Sequence, residues 1–175
     1  MRKMPGEIAK TMCDAGFDAV PMETDLSSRE SIRQTIAAAE QYGSIQMLVN
    51  AAGVSPSQAS VETILRVDLY GTAMLLEEMR THIAEGGVGV TISSQSGFRM
   101  PQLTAEEDAL LAETPAEELL SLEMLQPEKS GIRSMRTSWQ SAAMKSVSWQ
   151  RRCIGVNVAQ GSTPLRRALL SHRLP

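Results

Sequence analysis

Two short segments carry the groups best placed for chemistry. Leu48-Val49-Asn50-Ala51-Ala52-Gly53 closes an apolar run with an amide and three small residues. Small residues let a ligand approach backbone closely, and an asparagine at a strand end can hydrogen-bond its neighbours. Thr91-Ile92-Ser93-Ser94-Gln95-Ser96-Gly97 sets hydroxyls behind a second apolar run. In an open parallel sheet, ligands bind at the carboxyl ends of strands. Taken alone, each segment reads more readily as a polar turn than as a site. Other chemistries find less support. With two cysteines, Cys13 and Cys153, and two histidines, His82 and His172, neither a zinc cluster nor a disulfide scaffold is available. Ser94 lacks the flanking glycines of a hydrolase nucleophile elbow, and no histidine is placed as its base. The carboxylates Glu106, Glu107, Asp108, Glu113, Glu117 and Glu118 read as a solvated face plus first-turn charges rather than acid–base machinery.

The elements that must position these segments follow from periodicity. Glu7 to Ala15 predicts a helix closed by Gly16, with Phe17 packing back on its last turn and Cys13 a packed core thiol. Asp18 to Glu23 predicts a short edge strand, because Pro21 cannot donate to a ladder. Ser27 with Glu30 forms a capping box ahead of a helix that turns Ile32, Ile36 and Ala39 to one face. Ile45 to Val49 predicts a buried strand. A long helix from Val61 to Ala84 carries the core stripe Leu65, Leu69, Thr72, Leu76, Met79 and Ile83 and stops at Gly86-Gly87. His82, near its end, reads as a partner of the helix dipole. Val88 to Ser93 is the next strand. Residues 104–125 read as helical, with capping boxes at Thr104/Glu107 and at Thr114-Pro115-Ala116-Glu117. Alternating helices and strands predict a layered α/β fold with a parallel sheet.

The 175 residues allow one domain with a sizeable core, and 42% apolar against 21% charged residues marks a globular chain. No apolar run approaches the roughly 20 residues of a membrane span. Met1 to Pro5 has no apolar stretch behind it, which argues against a secretory signal. The sparse cysteines point to a reducing, cytoplasmic compartment. Charge is uneven. Residues 1–128 hold 8 basic residues against 20 acidic ones, a net −12; residues 129–175 hold 9 basic residues and no acid. Trp139 and Trp149 also lie in this basic segment, where helical periodicity is lost.

In this order, the motifs resemble the short-chain dehydrogenase/reductase family. N-A-A-G at Asn50–Gly53 and I-S-S-x-x-G from Ile92 are similar to its hallmark segments. Asp25-Leu26 resembles its acidic–apolar pair at the adenine pocket, and Val67-Asp68-Leu69-Tyr70-Gly71 its V-N-x-x-G segment. The resemblance covers about residues 5–128. It implies a partial Rossmann-like, doubly wound parallel sheet, an NAD or NADP cofactor, and hydride transfer between an alcohol and a ketone. It also implies a catalytic role for Ser94, which would hydrogen-bond the substrate oxygen, and for Asp68, which stands where many members carry asparagine. Aspartate keeps the acceptor but loses the amide donor. Asp25, Leu26, Asn50, Ala51, Ala52 and Gly53 would border the cofactor. The partner implied is a small alcohol or ketone, with no membrane; the helix bearing Leu65 to Ile83 resembles one that builds homo-oligomers in the family.

Two family features are missing. The Gly-rich turn T-G-x-x-x-G-x-G, which holds pyrophosphate on backbone N–H groups, is not found, so the chain is expected to start after the second strand. Neither Tyr42 nor Tyr70 has a lysine four residues on, so the Y-x-x-x-K pair is absent. The tail offers a reason. Read from the third base of each codon, Trp139 before Gln140 and Trp149 before Gln150 both force alanine, and Met144 before Lys145 forces glutamate. With free choice elsewhere, the offset frame spells a tyrosine across Arg136-Thr137 and a lysine across Gln140-Ser141. The expectation is a frameshift near Glu128–Lys129. It divides the chain into a partial dinucleotide-binding domain, 1–128, and a basic, non-native, poorly ordered tail, 129–175. Such a chain is expected to be an inactive fragment that does not bind NAD(P) and that leaves the strands around Val20 and Val49 facing water.

Two rival readings come from other classes. Arg151-Arg152 and Arg166-Arg167 with the two tryptophans could contact nucleic acid or another anion. Their scatter along the chain, rather than on one helical face, argues against nucleic acid. Alternatively, the chain could be a non-catalytic partner of an intact relative.

Overall fold

The computed structural model describes residues 5–55, 57, 59–92 and 103–126. Helix α1 spans Pro5–Asp14 and α2 spans Arg29–Glu40. Strand β1 is Ile45–Asn50. A continuous helical rod follows: α3, Val61–Ile64; a π-helical turn, Leu65–Gly71; and α4, Thr72–His82. Strand β2, Ile83–Thr91, pairs parallel with β1. Helices α5, Ala105–Glu113, and α6, Ala116–Leu119, precede a short 3-10 turn at Glu123–Leu125. The unit is therefore β1–helix–β2 with a two-stranded parallel sheet, the α/β arrangement expected from the alternation of elements.

The core lies between helices on one side of that sheet. Ile32 and Ile36 of α2 meet Leu65 and Leu69 of the π turn and Ala73, Met74 and Met79 of α4. Leu111, Ala116, Leu119 and Leu125 close the far side. Ile45, Leu48 and Ile83 pack the sheet's inner face on this cluster. The outer face is uncovered: Met47 is 61% exposed, Val49 57% and Ile92 57%. Side chains alternate along a strand, so a sheet packed on one side buries only every second residue. The strand expected to be buried is thus half-buried, and Val20 and Val49 do face water.

Several local expectations are corrected. Residues 17–25 are irregular rather than an edge strand; Pro21 lacks an N–H and, among the described residues, no strand lies beside them. The α2 N-cap is Ser28, whose hydroxyl accepts from Ser31 N–H at 3.3 Å; Ser27 instead donates to Asp25. Ala39 is exposed, because the α2 face holding Ile32 and Ile36 does not extend to it. Cys13 is exposed, on a helix with little packed against it. The α1 terminus is as expected: Gly16 has φ +92°, and the N–H of Phe17 donates to Met12 O at 3.0 Å. Phe17 itself is 63% exposed and does not pack back.

The long helix ends at His82, not at Gly86-Gly87. Those glycines lie in β2, where Ile45 pairs with Ile83 but Met47 pairs with Val88. Four residues of β2, 84–87, lie there opposite the single residue Gln46 of β1, so three extra residues are accommodated. Gly86 has φ +77°, and a Cβ on Gly87 would stand 2.7 Å from Ile83 Cγ1. The Thr104/Glu107 capping box forms as expected. The second does not: α6 has Pro115 at its N-cap, with no side-chain cap bond. Glu77 of α4 takes over, its carboxylate accepting from Ala116 N–H at 3.0 Å.

A charged clamp ties the helices together. Arg29 of α2 donates to Glu78, to Glu77 at 2.8 Å, and pairs with Glu117 of α6; Arg33 Nε meets Glu78 at 2.9 Å. Burial alone would lower the Arg29 pKa, but hydrogen bonds to Glu77 and Glu78 and the charge of Glu117 outweigh it and hold the guanidinium charged. Glu117 is thus one acidic residue with a structural partner rather than only a solvated face. His82 is likewise a tertiary partner, Nδ1 lying 2.8 Å from Glu40 Oε1 of α2.

Candidate functional site

The carboxyl end of β1 is where the expected site residues collect. Asn50 pairs with Thr91, and Ile92 N–H donates to Asn50 O at 2.8 Å, so the two strand ends run out together. Asn50 is buried and its side chain is engaged at both ends. Nδ2 donates to Thr72 Oγ1 at 3.2 Å, and Oδ1 accepts from Ala52 N–H at 3.3 Å. The Ala52 N–H can only donate, so Oδ1 must face it and the amide orientation is fixed. Ala51, Ala52 and Gly53 follow as irregular, exposed backbone, giving the open strand end that their small side chains predicted.

Asp68 closes this loop from the helix side. It lies in the π turn and is 7% exposed. Its Oδ1 accepts from Val54 N–H at 2.9 Å. Gly53 makes this approach possible, since a Cβ there would stand 3.1 Å from the same oxygen. Burial raises the Asp68 pKa, and the Val54 hydrogen bond only partly offsets that. A π turn is a frequent device at functional sites, and here it holds Asp68 and Gly71, with Thr72 following as the first residue of α4.

Leu26, next to Asp25, reaches the same helix by another route. The Asp25 Oδ1 accepts from Ser27 N–H at 2.8 Å and Ser27 Oγ at 2.7 Å. The Ser27 hydroxyl, then its backbone N–H, keeps the exposed Asp25 carboxyl below the usual aspartate range. Leu26 packs on the core, and its carbonyl presses on Gly71. The structure therefore brings Leu26, Asn50, Gly53 and Asp68 onto one stretch of helix, Asp68–Thr72. Ser94 lies outside the described residues, as do the tail, 129–175, and its tryptophans and arginines. Sequence reading placed Thr72 in the core stripe and missed its bond to Asn50. The signal was a hydroxyl residue on an otherwise apolar face.

Among the described residues, three helix starts are not shaped as a cradle for a dinucleotide's pyrophosphate. Pyrophosphate needs free backbone N–H groups at a helix start. The starts of α2, α3 and α5 are instead occupied by their own caps, Ser28, Ser60 and Thr104. Among the described residues, no group of three or more His, Cys, Asp or Glu could hold a metal ion. No helix among them is long and apolar enough to cross a membrane.

A parallel βαβ unit with polar residues at its strand ends defines an α/β protein of the Rossmann-like kind. Residues 2–106 match the family model for enoyl-(acyl carrier protein) reductase. A short-chain dehydrogenase/reductase of Alternaria brassicicola, bsc3, is 31% identical over 158 residues, covering 86% of this chain and 57% of that protein. A cis-4-hydroxycyclohexanecarboxylate dehydrogenase of Sinomonas cyclohexanicum is 25% identical over 99 residues, covering 51% of this chain and 40% of the relative. A solved variant of a Serratia marcescens short-chain dehydrogenase/reductase superposes with TM-score 0.50 at 22% identity, over 61% of this chain and 49% of that one. The chain belongs to the short-chain dehydrogenase/reductase family, whose members are NAD(P)-dependent oxidoreductases. It spans about half the length of the curated relatives it matches.

Proposed function

We propose that this chain is part of an NAD(P)-dependent oxidoreductase that interconverts an alcohol and a ketone. In that reading Asn50, Ala51, Ala52 and Gly53 border the cofactor, Asp25 and Leu26 lie on its adenine side, and Ser94 holds the substrate oxygen. The observation that carries it is the fixed end of β1: a buried Asn50 and a buried Asp68 each bind one backbone N–H of the loop that would face the cofactor. Asp68 is a positioning group in this account. Its Oδ1 is spent on Val54, and a carboxylate has no amide proton to relay.

The 175-residue polypeptide itself is proposed to be without turnover. General acid–base catalysis supplies on the order of 10²–10⁴-fold in rate. No tyrosine in this sequence has a lysine four residues on to provide it, and the starts of α2, α3 and α5 are taken by their own caps. The segment 129–175 is proposed to be an offset-frame translation. The jump from net −12 to an acid-free stretch supports this. The fungal relative's match weighs against it, because 86% of the chain is more than residues 1–128 hold.

The nucleotide sequence tests both statements. An offset frame encoding tyrosine and lysine four residues apart within codons 129–145 supports the oxidoreductase reading and locates its proton donor. Stops or unrelated residues in that frame remove the frameshift. If no other frame supplies the pair either, they remove the proposed proton chemistry as well.

A further inference from the structure

We propose that Thr72 is a positioning residue that sets the orientation of Asn50, and through it the course of backbone at Ala51–Ala52. The inference rests on the reading of that backbone as the cofactor edge. Thr72 is 1% exposed and opens α4 immediately after the π turn. Its hydroxyl accepts the Asn50 Nδ2 proton, and the other end of the same amide accepts from Ala52 N–H. With Nδ2 held, the side chain cannot rotate to release Ala52. An apolar residue at 72 would leave a buried donor unpaired, and the amide would have to turn or draw in water.

The neighbouring latch is separate, which makes the role measurable. Val54 is held by Asp68, one helical turn earlier, and not by Thr72. Loss of the Thr72 hydroxyl should therefore loosen Ala52 and spare Val54. A merely structural role for Thr72 would loosen both alike, since both depend on the same helix.

The test is amide hydrogen exchange by NMR on the full chain, compared with Thr72→Val and Thr72→Ser. Expected in Thr72→Val are shifted Asn50 side-chain amide signals and Ala52 exchange at least ~10-fold faster, with Val54 unchanged. Thr72→Ser, which keeps the hydroxyl, should restore the original pattern. Unchanged Ala52 exchange in Thr72→Val, or equal loss at Ala52 and Val54, overturns the proposal. If Thr72→Val does not fold, the unsubstituted chain decides: one Asn50 Nδ2 proton must be protected from exchange, and free exchange of both overturns it. The readout needs no dinucleotide, so failure here is distinct from failure of the cofactor-edge reading.

Discussion

Leu26 and Gly71 meet backbone to helix: a Cβ on Gly71 would stand 2.6 Å from the Leu26 carbonyl oxygen and 3.1 Å from its carbon. That contact seats the loop before α2 on the same turn that holds Asp68 and, one residue on, Thr72. Neither partner can yield cheaply, because the obstructing atoms are main chain. Gly71→Ala should cost about 1–3 kcal/mol, as overpacking does. A lower urea midpoint by circular dichroism checks it, and an unchanged midpoint would show that the loop moves freely.

Asp68 gives a pH signature. Its pKa is raised by burial, so the folded chain holds a proton there more tightly than the unfolded one. Stability at this site is greatest below the ordinary aspartate value of about 3.9 and declines as pH rises through the raised folded value. Asp68→Asn keeps an acceptor for Val54 and removes this ionisation. The stability of Asp68→Asn relative to the unsubstituted chain should therefore increase between pH 4 and pH 7. A constant difference in urea melts across that range would contradict the desolvation account.

Glu78 works in the opposite sense. The Arg33 hydrogen bond lowers its pKa, burial opposes this, and Arg29 adds to the lowering. Its contribution is present above the ordinary glutamate value of about 4.3 and is lost as pH falls through the lowered folded value. Glu78→Gln should cost about 1–2 kcal/mol at pH 7, allowing for solvent screening at the half-exposed Arg33, and much less near pH 3. Paired melts at the two pH values measure this.

The outer sheet face predicts association. Met47, Val49, Val90 and Ile92 form an exposed apolar surface on a sheet that, among the described residues, has two strands and so two unpaired edges. Val49→Lys with Val90→Lys should raise the monomer fraction in size-exclusion chromatography without changing helix content. An unchanged elution profile would place the association elsewhere.

Much of the architecture was legible because it is local. The Gly16 closure, the Thr104/Glu107 capping box and the Ile32/Ile36 face follow from residues within four positions of one another. The motif Asn50–Gly53 announced an open strand end, and the structure has one. What local pattern could not show was tertiary. Asp18–Glu23 has strand-like residues but, among the described residues, no strand to pair with. Gly86-Gly87 looked like a helix stop because the bulge in β2, three residues in excess of β1, depends on its register with β1. Thr72 looked like core because its partner is 22 residues away. Glu77 as the cap of α6 is a similar case, since the capping carboxylate comes from another helix.

Isothermal titration calorimetry of NADH and NADPH into the 175-residue polypeptide bears most directly on the central claim. The account predicts no saturable heat with either dinucleotide, because the sequence has no T-G-x-x-x-G-x-G turn to hold the pyrophosphate beside the strand end proposed to border the cofactor. Micromolar binding of either one would contradict it.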